Sequence, residues 1–181
     1  MRTLASLAIA AAVVAIGGVA LVAARPPAPT GPVWTEVAWP FPGDPWGPGR
    51  AFRCTASHCG SDVTVYLRAK AGLCDCTTGV ADDEHLDRVG DVDLVGRESV
   101  ARGPGEPITV HNMNGRRRAY TVAGRGGPAA SVLSVAFNDR CDLVVATAAM
   151  GRDTGAAQED TVLDFLNGEV VLRWAERTLG L

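Results

Sequence analysis

Residues 61–70 read SDVTVYLRAK, and this stretch decides the expected fold. The apolar residues Val63, Val65 and Leu67 alternate with polar or amphipathic neighbours. An alternation of period two is typical of a strand with one face buried and the other in water. The sequence therefore predicts a half-buried strand here, and with it a sheet of several strands.

Two hairpins are predicted farther along the chain. Residues 108–113 and 117–123 flank Asn114-Gly115, a pair that strongly favours a tight turn between antiparallel strands. Residues 132–137 and 143–148 form the second pair, joined by residues 138–142. Both hairpins indicate antiparallel pairing.

Helices are predicted in two places. Asp82 is a good N-cap for a short helix that runs to about Val89 and ends at Gly90. At the C-terminus a helix is expected over residues 169–179, after a shorter helical turn, with Leu166, Val170 and Trp174 on one face. The expected class is α+β: antiparallel strands with helices packed on one face.

The N-terminal residues predict delivery across a membrane. No residue from Leu4 to Ala24 is charged, and about 21 apolar residues suffice to span a bilayer as a helix. We therefore expect residues 1–24 to be a transmembrane anchor or signal segment, with the membrane as a partner through residues 4–24. The expected location is the inner membrane, single-pass, with the C-terminal domain in the periplasm. The alternative is secretion to the periplasm after signal cleavage before Arg25.

The rest of the chain divides at about residue 50. Residues 25–50 are rich in proline, which excludes helix and central strand. They are expected to form a spacer, followed by a surface segment whose aromatic side chains (Trp39, Phe41, Trp46 and the adjoining Phe52) insert into the core. Residues 51–181 are expected to form a single periplasm-facing α+β domain.

The cysteines are the clearest chemical feature, and their first interpretation is structural. Exported chains tend to pair their thiols. Cys74 and Cys76 are too close for an easy mutual bridge, so they are expected to reach different partners, plausibly Cys54 and Cys59. Cys141 is then either free or paired with Cys74 or Cys76.

A metal site is the alternative interpretation of the same residues. Cys54, Cys59, Cys74 and Cys76, or His58 in place of one of them, offer a tetrahedral set for zinc, and thiolates equally suit copper. A redox dithiol is less favoured, because the C-x-C spacing differs from C-x-x-C. No cofactor is expected under the disulfide interpretation.

The net charge and the sequence motifs indicate which classes of function are disfavoured. The formal net charge is −3, so no nucleic acid is expected as a partner. The acidic residues between Asp82 and Asp93 are interpreted as a solvated helix face rather than a calcium loop. Residues 116–118, three arginines, are interpreted as a solvated basic hairpin tip. The sequence contains no recognisable catalytic motif, which makes an enzyme less favoured without excluding one.

Three blocks of sequence carry a resemblance to other proteins. Residues 39–54 (WPFPGDPWGPGRAFRC), 59–94 and 162–181 resemble an uncharacterised group of small, membrane-anchored exported proteins of alphaproteobacteria. The resemblance implies bacterial origin and export, and it implies no activity or site residue. We therefore expect a non-enzymatic binding or assembly module with an envelope protein as a possible partner, and a thiolate metal or redox protein as the alternative.

Overall fold

A computed structural model describes residues 31–73, 75–123, 129–152 and 154–180. In these ranges the chain forms eight strands, which are β1 (Thr35–Val37), β2 (Arg50–Cys54), β3 (Val63–Lys70), β4 (Ser99–Ala101), β5 (Glu106–Val110), β6 (Met113–Val122), β7 (Ala130–Asp139) and β8 (Asp142–Met150). They form one antiparallel sheet in the order β1-β2-β3-β8-β7-β6-β4, and β5 also pairs with β6. The predicted strand at residues 61–70 is confirmed as β3, near the centre of the sheet.

Helices occupy a smaller part of the described chain. They are α1 (Ala56–Cys59), α2 (Asp83–Val89), α3 (Ala156–Leu166) and α4 (Glu169–Leu179), with a 3₁₀ turn at Val92–Leu94. The prediction for α2 is confirmed, because the Asp82 carboxylate accepts a hydrogen bond from the backbone N–H of His85 at 2.8 Å. The bounds of α4 are also as predicted, whereas α3 is a full helix rather than a turn.

The hairpins are right in kind, but one turn is displaced. β7 and β8 pair as predicted and turn at Arg140-Cys141. The turn between β5 and β6 lies at His111-Asn112, not at Asn114-Gly115, and His111 takes the left-handed φ of 52°. Gly115 is needed inside β6 because a Cβ there would contact the Ala136 carbonyl and lie 2.7 Å from Phe137 Cβ. Tertiary packing, not turn chemistry, explains this glycine.

The sheet buries side chains on both faces. On the first face the core includes Val65, Leu67, Val135 and Phe137, covered by Val162, Phe165 and Leu166 of α3 and Val171 and Ala175 of α4. We name it the α3–α4 face. On the opposite face, the α2 face, Leu86 and Val89 of α2 pack on Ala136, Leu143 and Val145. The core therefore has two layers, one on each side of the sheet.

The expected α+β class, with helices packed on one face of the sheet, is wrong. The described chain is a mainly antiparallel β-sheet domain with a few helices, and those helices lie on both faces. The physical reason is in β8, where Leu143, Val144, Val145 and Ala146 are all buried in succession. A strand that is apolar on both sides requires cover on both sides.

The expected membrane segment at residues 4–24 lies outside the described residues. Among the helices that the described ranges contain, none has the length and apolar character to cross a bilayer.

The aromatic residues of the proline-rich stretch lie across the α2 face at β3. Trp39 and Phe41 pack edge-on against Tyr66 of β3, with ring centroids 6.0 and 4.8 Å away. Trp46 remains 40% exposed rather than inserting into the core. We name residues 39–46 the strap, because they cross β3 and form one wall of the site described next.

The predicted apolar face of the C-terminal helix is also displaced. Val170 is 51% exposed, while Val171 and Ala175 are buried against the sheet. Gly168 caps a new helix, so the spacing that starts at Leu166 does not continue through α4.

Candidate functional site

A polar cleft opens on the α2 face between the strap and the end of α2. Its volume is about 480 Å³. The floor is formed by β3, because Arg68 and Lys70 alternate with the buried Leu67 and point to the opposite side of the sheet. The charged residues that line it are Asp44, Arg68, Lys70, Asp87, Arg88, Asp91 and Asp93.

Lys70, the single lysine of the chain, is buried at one side of this floor with an exposed fraction of 5%. Its ammonium donates to Asp91 Oδ1 at 2.7 Å and to the backbone carbonyl of Val89 at 2.7 Å. It also lies 5.8 Å from the ring centroid of Trp46. These charge-assisted hydrogen bonds fix the position of the ammonium and connect the end of α2 to β3.

Arg68 is more buried than Lys70 and less fully paired. Its exposed fraction is 3%, and its Nη1 donates to the Asp44 carboxylate. Its Nε lies 3.5 Å from Asp91 Oδ2, an ion pair without a hydrogen bond. Nη2 is buried and has no hydrogen-bond partner within the described chain. A guanidinium has five donors, and unpaired buried donors are costly, so this arginine is the most unusual residue of the cleft.

Asp44, the partner of Arg68, belongs to the strap and not to the sheet. Partial burial by itself would raise the pKa of its carboxyl, but two opposing contacts are stronger. The backbone N–H of Trp46 donates to it at 2.9 Å, and Arg68 supplies a hydrogen bond and a positive charge. The pKa of Asp44 is therefore held below its usual value, and the group is an anion at neutral pH.

Two hydroxyl groups extend this arrangement across the sheet. Thr147 of β8 and Ser134 of β7 are directly paired in register, and Thr147 pairs in turn with Tyr66 of β3. Both side chains are fully buried, and neither hydroxyl has a hydrogen-bond partner in the part of the chain that the structure describes. One row along β3 from Tyr66 lies Arg68, on the same face. Unpartnered polar atoms thus come from three adjacent strands at one place.

Residues of β6 hold Asp87, one of the acidic residues that line the cleft, in position. Asp87 of α2 accepts hydrogen bonds from Arg118 Nη1 at 2.9 Å and from the hydroxyl of Tyr120. Burial raises the pKa of Tyr120, and the hydrogen bond to Asp87 adds to the effect. Tyr120 therefore remains a neutral donor that orients Asp87.

The three consecutive arginines are not the predicted solvated hairpin tip. They lie within β6, and each is paired with an acid. Arg116 contacts Asp83 at 2.6 Å, Arg117 contacts Glu106 at 2.7 Å, and Arg118 contacts Asp87. The acidic run is likewise not simply a solvated face, because Asp83 and Asp87 face this strand and Asp91 is buried.

Four of the predicted site residues are joined as disulfides. Cys54 bonds to Cys59, and Cys76 bonds to Cys141. The expected bonds from Cys54 and Cys59 to Cys74 and Cys76 are therefore wrong, since the first two close a loop of their own at α1. Of the alternatives for Cys141, the structure forms the bond to Cys76, and Cys74 lies outside the described residues.

The alternative metal set is not assembled by these residues. Sulfur atoms in a disulfide are not thiolates, so Cys54, Cys59 and Cys76 have none to offer zinc or copper in this pairing. His58 lies in α1, next to Cys59. Within the described ranges, no group of three or more His, Cys, Asp or Glu side chains is arranged to hold a metal ion.

The residues of the cleft were missed at the sequence level. The alternation in β3 assigns Arg68 to a wet face, because it does not reveal that the strap and α2 cover that face. Ser134 and Thr147 occur in apolar strands and carry no motif. The available signal was a pair of cations two residues apart, at Arg68 and Lys70, on a central strand.

The chain has little detectable similarity to known proteins. No protein-family model matches the chain, and no curated protein matches it significantly. Among solved structures it is similar to the solution structure of cyanobacterial PsbP (CyanoP) from Synechocystis sp. PCC 6803. The two are 14% identical, the match covers 74% of this chain and 76% of that chain, and the TM-score is 0.43.

The fold and the cleft together define a class: a disulfide-stabilised antiparallel β-sheet domain with a charged cleft on one face.

Proposed function

We propose that the chain is an exported bacterial domain that faces the periplasm and binds a component of the envelope in the polar cleft without transforming it. The observation that carries this proposal is the floor of the cleft. Arg68, Lys70 and Asp91 are each more than nine-tenths buried, yet they line an open cavity of about 480 Å³. Burying three charged groups carries a desolvation free energy that apolar residues would avoid. A role in ligand binding explains why charged residues stand there.

The disulfides support the choice of compartment. Paired cysteines persist in oxidising spaces such as the periplasm and are rare in the bacterial cytosol. The uncharged segment of residues 4–24 gives a route of export. The two features are independent, since one is a property of the folded domain and the other of the leader.

The state of the charges supports binding rather than catalysis. Asp44 is held as an anion by Trp46 and Arg68, and its lowered pKa does not suit a proton donor at neutral pH. The Lys70 side chain donates to both a carboxylate and a carbonyl, so its position is fixed. Groups fixed in this way orient and neutralise a ligand.

Export is tested with a reporter fused to the C-terminus of the full chain, using one reporter that works only outside the cytoplasm and one that works only inside it. We expect activity from the first. Carbonate extraction and the mass of the mature N-terminus then separate a retained segment from a cleaved one. Activity from the cytoplasmic reporter would contradict the proposal.

Binding is tested by NMR on the mature exported protein, titrated with the small-molecule fraction of periplasmic extract. We expect saturable shifts of the backbone resonances of Arg68, Lys70 and Asp91. The control is the same titration of Asp91→Asn, which removes one buried charge from the floor. Shifts confined to residues away from the cleft, or no shifts, would overturn the binding role.

A further inference from the structure

We infer that the cleft takes a small carboxylate, which replaces Asp44 on the guanidinium of Arg68. This inference rests on the proposed function, because it specifies the ligand of the same cleft. Its starting point is an asymmetry in the Arg68–Asp44 pair. The cation is 3% exposed and sits on a central strand, while the side chain of Asp44 is 32% exposed and sits on the strap, outside any helix or strand.

The open donors of Arg68 indicate the shape of the ligand. Nη1 and Nη2 form the outer edge of the guanidinium. Nη2 makes no hydrogen bond within the described residues, and Nη1 bonds to Asp44, while Nε faces Asp91 Oδ2 at 3.5 Å. Two parallel N–H donors on one edge match the two oxygens of a carboxylate. Asp44 uses only Nη1, so the strap satisfies the charge of Arg68 without satisfying its geometry.

Two buried hydroxyl groups lie on the same face of the sheet as Arg68. Thr147 and Ser134 lie on the same face of the next two strands, fully buried and without partners within the described chain. They are not among the residues that line the cleft, so the cleft itself offers the guanidinium edge of Arg68.

The charge balance favours one carboxylate over a phosphate. The charged residues that line the cleft are three cations and four carboxylates, the latter being Asp44, Asp87, Asp91 and Asp93. A phosphate dianion brings two negative charges to a site whose rim is already acidic, so repulsion opposes it. A ligand with one carboxylate group, such as a simple organic acid or a zwitterionic amino acid, has a smaller electrostatic cost. Trp46, 40% exposed, provides an apolar surface beside it.

The test uses acetate, glycine and inorganic phosphate as probes on the mature exported protein. NMR follows the Arg68 Nε–H and the Trp46 indole N–H of the wild type. We expect saturable shifts with acetate or glycine and weaker ones with phosphate. Arg68→Lys retains the charge but loses the planar edge, and we expect it to weaken carboxylate binding by about tenfold or more.

Asp44→Asn is the decisive variant, because it removes the internal competitor. We expect carboxylate binding to strengthen by about tenfold, the range of one charge-assisted hydrogen bond, and the carboxylate probe to raise the melting temperature of this variant more than that of the wild type. Asp93→Asn is the matched control. It removes the same charge from the same cleft, and Asp93 forms no ion pair with any described residue, so the gain should be much smaller.

Three results would overturn the inference. They are tighter binding of phosphate than of both carboxylates, equal gains in Asp44→Asn and Asp93→Asn, and no saturable shift with any probe. The first leaves the proposed binding function intact and changes only its ligand. Failure of export, measured with the reporters, would instead contradict the proposed function itself.

Discussion

Lys70 Nζ and Asp91 Oδ1 lie 2.7 Å apart, and both side chains are more than nine-tenths buried beneath the end of α2. Lys70 belongs to β3, and Asp91 precedes the 3₁₀ turn that follows α2. This buried ion pair therefore connects the central strand to the helical layer on the α2 face. Its carboxylate also approaches Arg68, so the pair supports the floor of the cleft as well as the fold.

The first prediction concerns the stability that depends on this pair. Lys70→Met leaves Asp91 buried without its main partner, and removal of one member of a buried pair typically costs about 3–5 kcal/mol. We expect a loss of that size in the free energy of unfolding, measured by urea denaturation. Arg173→Ala is the control, since the Arg173–Glu169 pair is exposed and worth about 0.3–0.5 kcal/mol. Equal losses in the two variants would show that Lys70 is not held as described.

The second prediction concerns the disulfides. The bonds span 65 and 5 residues of sequence, and on the chain-entropy account the longer loop stabilises more. We expect Cys76→Ala with Cys141→Ala to cost about 4 kcal/mol, and Cys54→Ala with Cys59→Ala about 2 kcal/mol. Denaturation of both double variants measures the difference. An opposite order would mean that the packing of the buried Cys54 outweighs loop closure.

The third prediction tests why Gly115 is a glycine. A Cβ at this position would lie 2.7 Å from Phe137 Cβ on the neighbouring strand, so Gly115→Ala must push β6 away from β7. We expect a loss of about 1–3 kcal/mol in the free energy of unfolding. Gly103→Ala is the control, because no atom lies within 4 Å of its added Cβ. If the two substitutions have equal effects, the close approach of the strands is not the reason for the glycine.

The fourth prediction concerns acid. The pKa of Asp83 is lowered by the hydrogen bond from the backbone N–H of Gly105 and by Arg116. A carboxyl group with a lowered pKa in the folded state stabilises the protein above its usual pKa of 3.8, and that contribution disappears as the pH falls below this value. We expect the wild type to lose stability there more steeply than Asp83→Asn, measured by denaturation at a series of pH values. Asp160→Asn, at an exposed position of α3, should keep the steep decline of the wild type.

Sequence patterns predicted those strands and helices whose formation depends mainly on neighbouring residues. β3 follows from alternation, α2 from the Asp82 cap, and the β7–β8 hairpin from two apolar runs separated by a polar connection. The cleft was not predictable in this way. Asp44, Arg68 and Asp91 are separated by 24 and 23 residues along the chain, and none of them stands in a motif that marks a site. Only the packing of the strap and of α2 on the same face of β3 brings them together.

The sequence by itself determined the uncharged segment of residues 4–24, the strands β3, β7 and β8, and the number of cysteines, because each depends on the order of neighbouring residues. The tertiary structure alone decided which cysteines bond, that helices cover both faces of the sheet, and that Arg68 and Lys70 are buried. Those outcomes depend on which distant segments meet. Contacts between residues far apart in the chain arise from burial of apolar surface across the whole domain, and a local pattern carries no record of its partner.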